Sequence, residues 1–214
     1  MKLYTYFRSS AAYRVRIALN LKGLHYDAVP VHLLKDGGQQ RQDEYRQINP
    51  SGLVPAFQDD RITLTQSMAI IEYLDERFPA VPLMPTDVAG RARVRELAQI
   101  IACDIHPLNN LRVLRHLVHE LKLSEEARNE WIRHWIREGM ASMEAHLARD
   151  PAAGPFCHGG APTMADCFLV PQVFNAQRFD IEIAAYPNIA RINALCVDMP
   201  AFVTAHPSAQ PDAE

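Results

Sequence analysis

Phe7-Arg8-Ser9-Ser10-Ala11-Ala12-Tyr13-Arg14-Val15-Arg16-Ile17-Ala18-Leu19 is the stretch on which the reading of this chain turns. Lys2-Leu3-Tyr4-Thr5-Tyr6 runs into it, short and part apolar, and reads as a strand. Val15, Ala18, Leu19 and Leu21 follow at helical spacing. Between strand and helix lies a polar turn with two hydroxyls and an arginine. A helix start carries unpaired N–H groups and about half a positive charge, so an anion is favoured there. Ser9 or Ser10 is placed to cap the helix. The same hydroxyl can instead point outward and donate a hydrogen bond to a thiolate. The sequence leaves both roles open for both serines.

Working outward, 214 residues suffice for one large domain or two of moderate size. A content of 48% hydrophobic and 22% charged residues is that of a soluble globular protein. The net charge of −3, with no long run of one sign, argues against a nucleic-acid partner. No apolar run reaches membrane-spanning length. Met1-Lys2-Leu3-Tyr4 leads straight into the strand, which argues against a signal peptide. Cys103, Cys157, Cys167 and Cys196 are scattered, and the expectation is reduced thiols in a cytoplasmic protein. The nine histidines show no zinc-type spacing, so no metal is expected.

Lys22-Gly23 ends the first helix. His25 to Val31 alternates as a second strand, parallel to the first across the helical crossover. A loop follows at Lys35 to Gln40, then a short helix from Asp43 to Gln47 and a turn at Asn49-Pro50-Ser51-Gly52. Leu53 to Phe57 reads as a strand with Pro55 inside it. Either Pro55 is an ordinary edge proline, or a cis Val54-Pro55 bond frees the Val54 backbone to pair outside the sheet. Ile62-Thr63-Leu64 returns antiparallel. A further helix starts at Gln66-Ser67, with Ile70, Ile71 and Leu74 inward. Ser67 can cap it, hold an anionic ligand, or do both.

The division expected is an α/β domain over residues 1–80, a proline-rich linker over 81–87, and an all-α domain over 88–214. In the second half, Arg91 to His119 reads as one long amphipathic helix bent by Pro107. Ser124 to Leu147 reads as another, its Trp131, Trp135, Met140 and Met143 stripe being core. Thr163-Met164-Ala165-Asp166 has the form of a capping box before an apolar run. Ile189 to Val197 is a last short helix, and Ser208 to Glu214 is expected to be loose.

Taken together, Tyr6-Phe7-Arg8-Ser9-Ser10-x-x-x-Arg14-Val15-Arg16-Ile17-Ala18-Leu19 resembles the signature of zeta-class glutathione transferases, the family of the maleylacetoacetate and maleylpyruvate isomerases. The match runs on through Lys35-Asp36-x-Gly38-Gln39-Gln40, Asn49-Pro50, Val54-Pro55, Gln66-Ser67, Thr163 to Asp166, Leu169 to Val173 and Arg178-Phe179. One place departs from the family: the usual Ser-Ser-Cys has Ala11 third, which excludes a cysteine-dependent role there. The resemblance implies a thioredoxin-like N-terminal domain, an all-helical C-terminal domain and a homodimer. It implies glutathione as cofactor, with Ser9 or Ser10 facing the sulfur, Gln40 at the glycyl end and the Val54 backbone on the cysteinyl unit. Gln66 and Ser67 would hold the γ-glutamyl carboxylate, and His106 and Asn110 would contact glutathione from the second domain.

The implied reaction turns a maleyl diketo acid into its fumaryl isomer, with glutathione as catalyst. Such a dicarboxylate needs cationic grips, which suits arginine. Arg8 is the first candidate, acting beside the serines as a catalytic residue; Arg112 and Arg178 are further ones. For each arginine the plainer alternative is a surface charge or a partner of a helix C-terminus, and for His106 a packed histidine. Two other functions fit the same residues: a transferase or dehalogenase acting on small α-halo acids, and a non-catalytic binding module.

Overall fold

β1 (Lys2–Thr5) leads into α1 (Ser10–Leu21) and β2 (Asp27–Pro30), a parallel β–α–β unit. The computed structural model describes residues 1–214. The short α2 (Asp43–Ile48), then β3 (Ala56–Gln58), β4 (Thr63–Thr65) and α3 (Ser67–Arg77), complete the first unit's core. The sheet order is β2-β1-β3-β4, and β3 runs antiparallel to both β1 and β4. Leu3 therefore faces Ala28 on one side and Phe57 on the other. This is the thioredoxin-like arrangement. β3 begins only at Ala56, after the cis Val54-Pro55 bond, so no proline enters the ladder. Gly23, at φ +64, closes α1: its N–H reaches Asn20 O, and Leu24 N–H reaches Leu19 O.

Two units divide the chain: Met1–Leu83 with Val197–Glu214, and Met84–Cys196. The division expected at 88–214 differs here, because the last residues return to the first unit. The reason lies in α1, where every residue from Ala11 to Leu19 is buried, leaving no solvent face. α3 covers one side, and α9 (Pro200–Ala205) covers another. Phe202 and Ala205 bury there, and Asn20 Nδ2 donates to Ala201 O at 3.0 Å and Thr204 Oγ1 at 2.9 Å. The expectation of a loose segment at Ser208 to Glu214 is corrected too. Gln210 is buried, its Nε2 donating to Thr204 O and His206 O, both at 2.9 Å.

The second unit is helical: α4 (Val88–Gln99), α5 (Leu111–His119), α6 (Glu125–Arg149), α7 (Met164–Gln177) and α8 (Pro187–Val197). The single helix expected from Arg91 to His119 is in fact broken. After α4 the backbone widens into a π-helical segment, Ile100–Ile105, with His106 N–H bonded five residues back to Ile101 O. Pro107 brings no N–H, the chain turns, and Asn110 caps α5 afresh. Ser124 caps α6 at 3.2 Å. The Thr163–Asp166 capping box is present, with Asp166 fully buried and its carboxyl pushed up by that burial. Glu144 of α6 caps α8, accepting from the Asn188 and Ile189 N–H groups at 3.0 Å each. No helix is long and apolar enough to cross a membrane.

The π segment seats on α6 at Gly139, where any Cβ would overlap the buried Ile105 side chain. Gly139→Ala gains about 1 kcal/mol of helix propensity. It also forces an overpacking cost of about 1–3 kcal/mol at a site with no slack. A net loss of stability is expected. Thermal unfolding of Gly139→Ala, Ile105→Ala and the double variant checks it, the double variant losing less than the sum of the two.

Candidate functional site

The loop between β1 and α1 is built from its own backbone. Ser9 N–H donates to Tyr6 O at 2.9 Å, and Tyr13 N–H returns to Ser9 O at 2.8 Å. Ser9, at φ −68 and ψ 114, is the N-cap, and its Oγ accepts the Ala12 N–H at 3.2 Å. That hydroxyl's proton stays available to donate away from the helix. Ser10 is the first helical residue, and its hydroxyl makes no hydrogen bond within the chain. No acidic side chain sits in the first turn, so the positive end of α1 is uncompensated. Arg8 is exposed and its guanidinium lies 5.0 Å from the Phe7 ring centroid.

Behind the loop, Arg16 is fully buried and holds it from within. Its Nη2 donates to Phe7 O at 3.0 Å, Nη1 to Thr5 Oγ1 at 3.0 Å and Tyr6 O at 3.4 Å, and Nε to Ala205 O at 3.0 Å. Burial lowers its pKa to about 10, so it remains charged at neutral pH.

The remaining first-unit candidates gather around this loop. Val54 packs in one apolar cluster with Tyr6, Phe7, Val31 and Tyr45. Its backbone N–H and C=O have no partner within the chain. The preceding carbonyl, Leu53 O, is by contrast fixed by Tyr45 OH at 2.6 Å and Asn49 Nδ2 at 2.7 Å. Gln66 sits at φ +71, ψ 117, an unusual backbone for a glutamine, and α3 starts behind it with no side-chain cap. Ser67 is buried and its Oγ accepts from Arg14 Nη1 at 3.2 Å, tying the start of α3 to α1. Gln40 is buried, with Nε2 3.4 Å from Leu33 O and Oε1 left without a partner. Gly38, at φ +104, lies so close that a Cβ would overlap the Gln40 side chain. Arg8, Ser9, Ser10, Val54, Gln66, Ser67 and Gln40 thus all belong to the first unit.

His106, Asn110, Arg112 and Arg178 belong to the second unit. His106 and Asn110 lie in the turn that breaks the expected long helix. Asn110 Oδ1 caps α5 by accepting from Arg112 N–H at 3.1 Å, and its Nδ2 remains a donor. Trp131 Nε1 pins the same turn at Leu108 O, 3.0 Å away. Arg112 is exposed in the first turn of α5. Arg178 is the C-cap of α7, with its guanidinium 5.9 Å from the Phe179 ring centroid. Sequence reasoning missed Arg16 as a support of the serine loop, and missed Asp212, whose Oδ2 accepts the Phe7 N–H at 3.0 Å. An arginine set among Val15, Ile17, Ala18 and Leu19 was the signal for the first; nothing local marks the second.

Chemistry by the chain's own thiols is not supported by their settings. All four cysteines are free, and only Cys103 is exposed. Burial pushes the Cys157 and Cys196 thiols up, away from the thiolate form.

A thioredoxin-like unit with a hydroxyl at an uncompensated helix start, joined to a helical unit, is the architecture of a glutathione transferase. Residues 1–76 match the family model for the glutathione S-transferase N-terminal domain, and residues 125–202 that for its C-terminal domain. A probable maleylacetoacetate isomerase of Vibrio cholerae is 49% identical over 99% of this chain and 97% of its own. A holo structure of a maleylpyruvate isomerase, a bacterial zeta-class glutathione transferase, is 46% identical, covers 100% of both chains and superposes with a TM-score of 0.96. A maleylacetoacetate isomerase of Anaeromyxobacter dehalogenans, with dicarboxyethyl glutathione and citrate in its active site, is 42% identical over 100% of this chain and 97% of its own, at a TM-score of 0.86. The chain belongs to the glutathione transferase family, on the zeta-class branch of maleylacetoacetate and maleylpyruvate isomerases.

Proposed function

We propose that this protein is a glutathione-dependent cis–trans isomerase that converts a maleyl diketo acid, maleylacetoacetate or maleylpyruvate, to its fumaryl isomer. Near-full-length similarity to isomerases of both names carries the reading. The dicarboxyethyl glutathione in the Anaeromyxobacter relative fits it, since that molecule carries the glutathione sulfur on a carbon between two carboxylates. The chain's own polar groups suit the tripeptide. The Val54 N–H and C=O are unbonded, as a partner extended backbone requires. Gln40 Oε1 is an orphaned buried acceptor, and the start of α3 lacks a side-chain cap where a carboxylate fits.

Glutathione, when bound, supplies a thiolate that adds reversibly to the conjugated double bond, makes it single for rotation, and leaves again. The residues supply the rest. Ser9 donates a hydrogen bond from its hydroxyl to the sulfur, and the α1 dipole favours the negative charge there. Val54 aligns the cysteinyl unit, Gln66 and Ser67 hold the γ-glutamyl carboxylate, and Gln40 serves the glycyl end. Arg8 pairs with a substrate carboxylate and keeps hold of it as the far end turns. His106 and Asn110 are assigned to glutathione, and Arg112 and Arg178 to the substrate, Arg178 being the least committed because it already terminates α7. We place the enzyme in the cytoplasm as a homodimer, which size-exclusion chromatography with light scattering tests.

The defining experiment is turnover of maleylacetone and maleylpyruvate with sub-stoichiometric glutathione. Many turnovers per glutathione are expected. Consumption of one glutathione per product identifies a transferase instead, and no binding to a glutathione matrix ends the proposal.

A further inference from the structure

The segment Gln210–Glu214 packs on the serine loop. Asp212 Oδ2 accepts the Phe7 N–H at 3.0 Å, while Arg16 Nη2 donates to the carbonyl of that same residue at 3.0 Å. Phe7 thus has both backbone polar groups held by side chains of opposite charge, which makes both bonds stronger than neutral ones. Phe7 stands two residues ahead of Ser9, in the turn closed by the bond from Ser9 N–H to Tyr6 O. Two residues on, Glu214 pairs with Lys35 and with His32 Nε2 at 3.3 Å. His32 Nδ1 accepts the Leu34 and Lys35 N–H groups at 3.1 and 2.9 Å, which assigns the ring proton to Nε2, facing Glu214. The segment therefore grips the β1–α1 loop through one acid and the loop after β2 through the other.

We propose that Asp212 is a positioning residue for the isomerisation: by clamping the Phe7 peptide against Arg16 it fixes the turn that aims the Ser9 hydroxyl, with Glu214 holding the clamp in register. This rests on Ser9 being the donor to sulfur. A segment that merely completes the fold would add stability and nothing else. A positioning segment sets how well the hydroxyl meets the sulfur, so its loss shows in the ionisation of bound glutathione.

Full-length Asp212→Ala and Asp212→Asn are compared with wild type by three readouts: the ultraviolet thiolate titration of bound glutathione, kcat against KM for glutathione, and exchange of the Phe7 amide. Asp212→Ala is expected to speed Phe7 exchange and to raise the thiol pKa of bound glutathione. It is also expected to lower kcat about 10-fold, as misplacement without loss of contact does, with KM for glutathione little changed. Asp212→Asn keeps an acceptor oxygen and recovers most of each effect. A wild-type titration and kcat in Asp212→Ala overturn the proposal, whatever happens to its melting temperature. Should wild type itself leave the thiol pKa unshifted, the role of Ser9 falls and this proposal with it. Phe7 exchange that responds to Asp212→Ala in that case marks the clamp as structural only.

Discussion

Ser9→Ala is expected to cut turnover of the maleyl substrate ~100-fold, the usual loss when one donor to a developing or stored negative charge is removed. Ser10→Ala is expected to cost far less. The two serines differ in how their oxygens are held. Ser9 Oγ is fixed by accepting the Ala12 N–H, which turns its proton away from the helix, and accepting one bond polarises it for donating another. The Ser10 hydroxyl is unanchored and must lose rotamer freedom to serve the same role. Removing the cap also costs about 1 kcal/mol of stability, a minor fraction of what a domain has. Fold and function therefore separate: thermal unfolding moves a few degrees while kcat falls by two decades. Ser9→Thr keeps both hydroxyl and cap and retains activity. Ser9→Asp keeps the cap, opposes the thiolate with like charge, and loses activity while staying folded. Full activity in both alanine variants would falsify the assignment of sulfur activation to this pair.

The sequence was most informative where a local pattern and its physical role coincide. The strand, two serines and helix of residues 2–21 and the Thr163–Asp166 box are each complete within a few residues, so each was legible. The Val54-Pro55 alternative was legible as a choice between two states, because proline limits the options to two. The break after Gln99 was not. Its apolar spacing continues through Ile100, Ile101 and Ile105, and a π segment shifts the bonding partner by one residue without disturbing that spacing much. The docking of Val197–Glu214 was invisible for a different reason: its partners, Phe7, Asn20, His32 and Lys35, lie 179 to 205 residues away in sequence. Polar composition there signalled looseness, but Asp212 and Glu214 are polar because their targets are a backbone N–H and basic side chains. Among the candidate site residues, those at a helix end or beside a proline, Ser9, Ser67 and Val54, have a local pattern that the sequence displays. Of the supports beneath them, Arg16 is marked only by the apolar run around it, and Asp212 by nothing local.

Arg16→Met is expected to be the most destabilising single change in the first unit. Methionine matches the length of the arginine stem and is at home in a core, so packing is largely kept. What is lost is the donor set for Thr5 Oγ1, Phe7 O and Ala205 O, and the second donor to Tyr6 O, which keeps the Ser9 N–H. Replacing a buried charge by an apolar residue is often harmless when its partners are replaced too. Here three of the four partners are main-chain carbonyls, which no substitution can remove. Each acceptor left buried without a donor costs about 1–3 kcal/mol, and relaxation or a water recovers part of the sum. A net loss of about 3–5 kcal/mol follows, as for other broken buried charge networks. For a chain of this length that lowers the melting temperature by about 10 °C. Arg16→Lys is the sharper probe. It keeps the charge, but one ammonium at the end of a shorter reach cannot meet acceptors spread from β1 to α9. Its loss should be intermediate in stability yet nearly complete in alignment of the serine loop, so kcat should fall further than the melting temperature suggests. If Arg16→Met unfolds within two or three degrees of wild type, the orphaned acceptors have found other donors, and the loop is held by something other than this guanidinium.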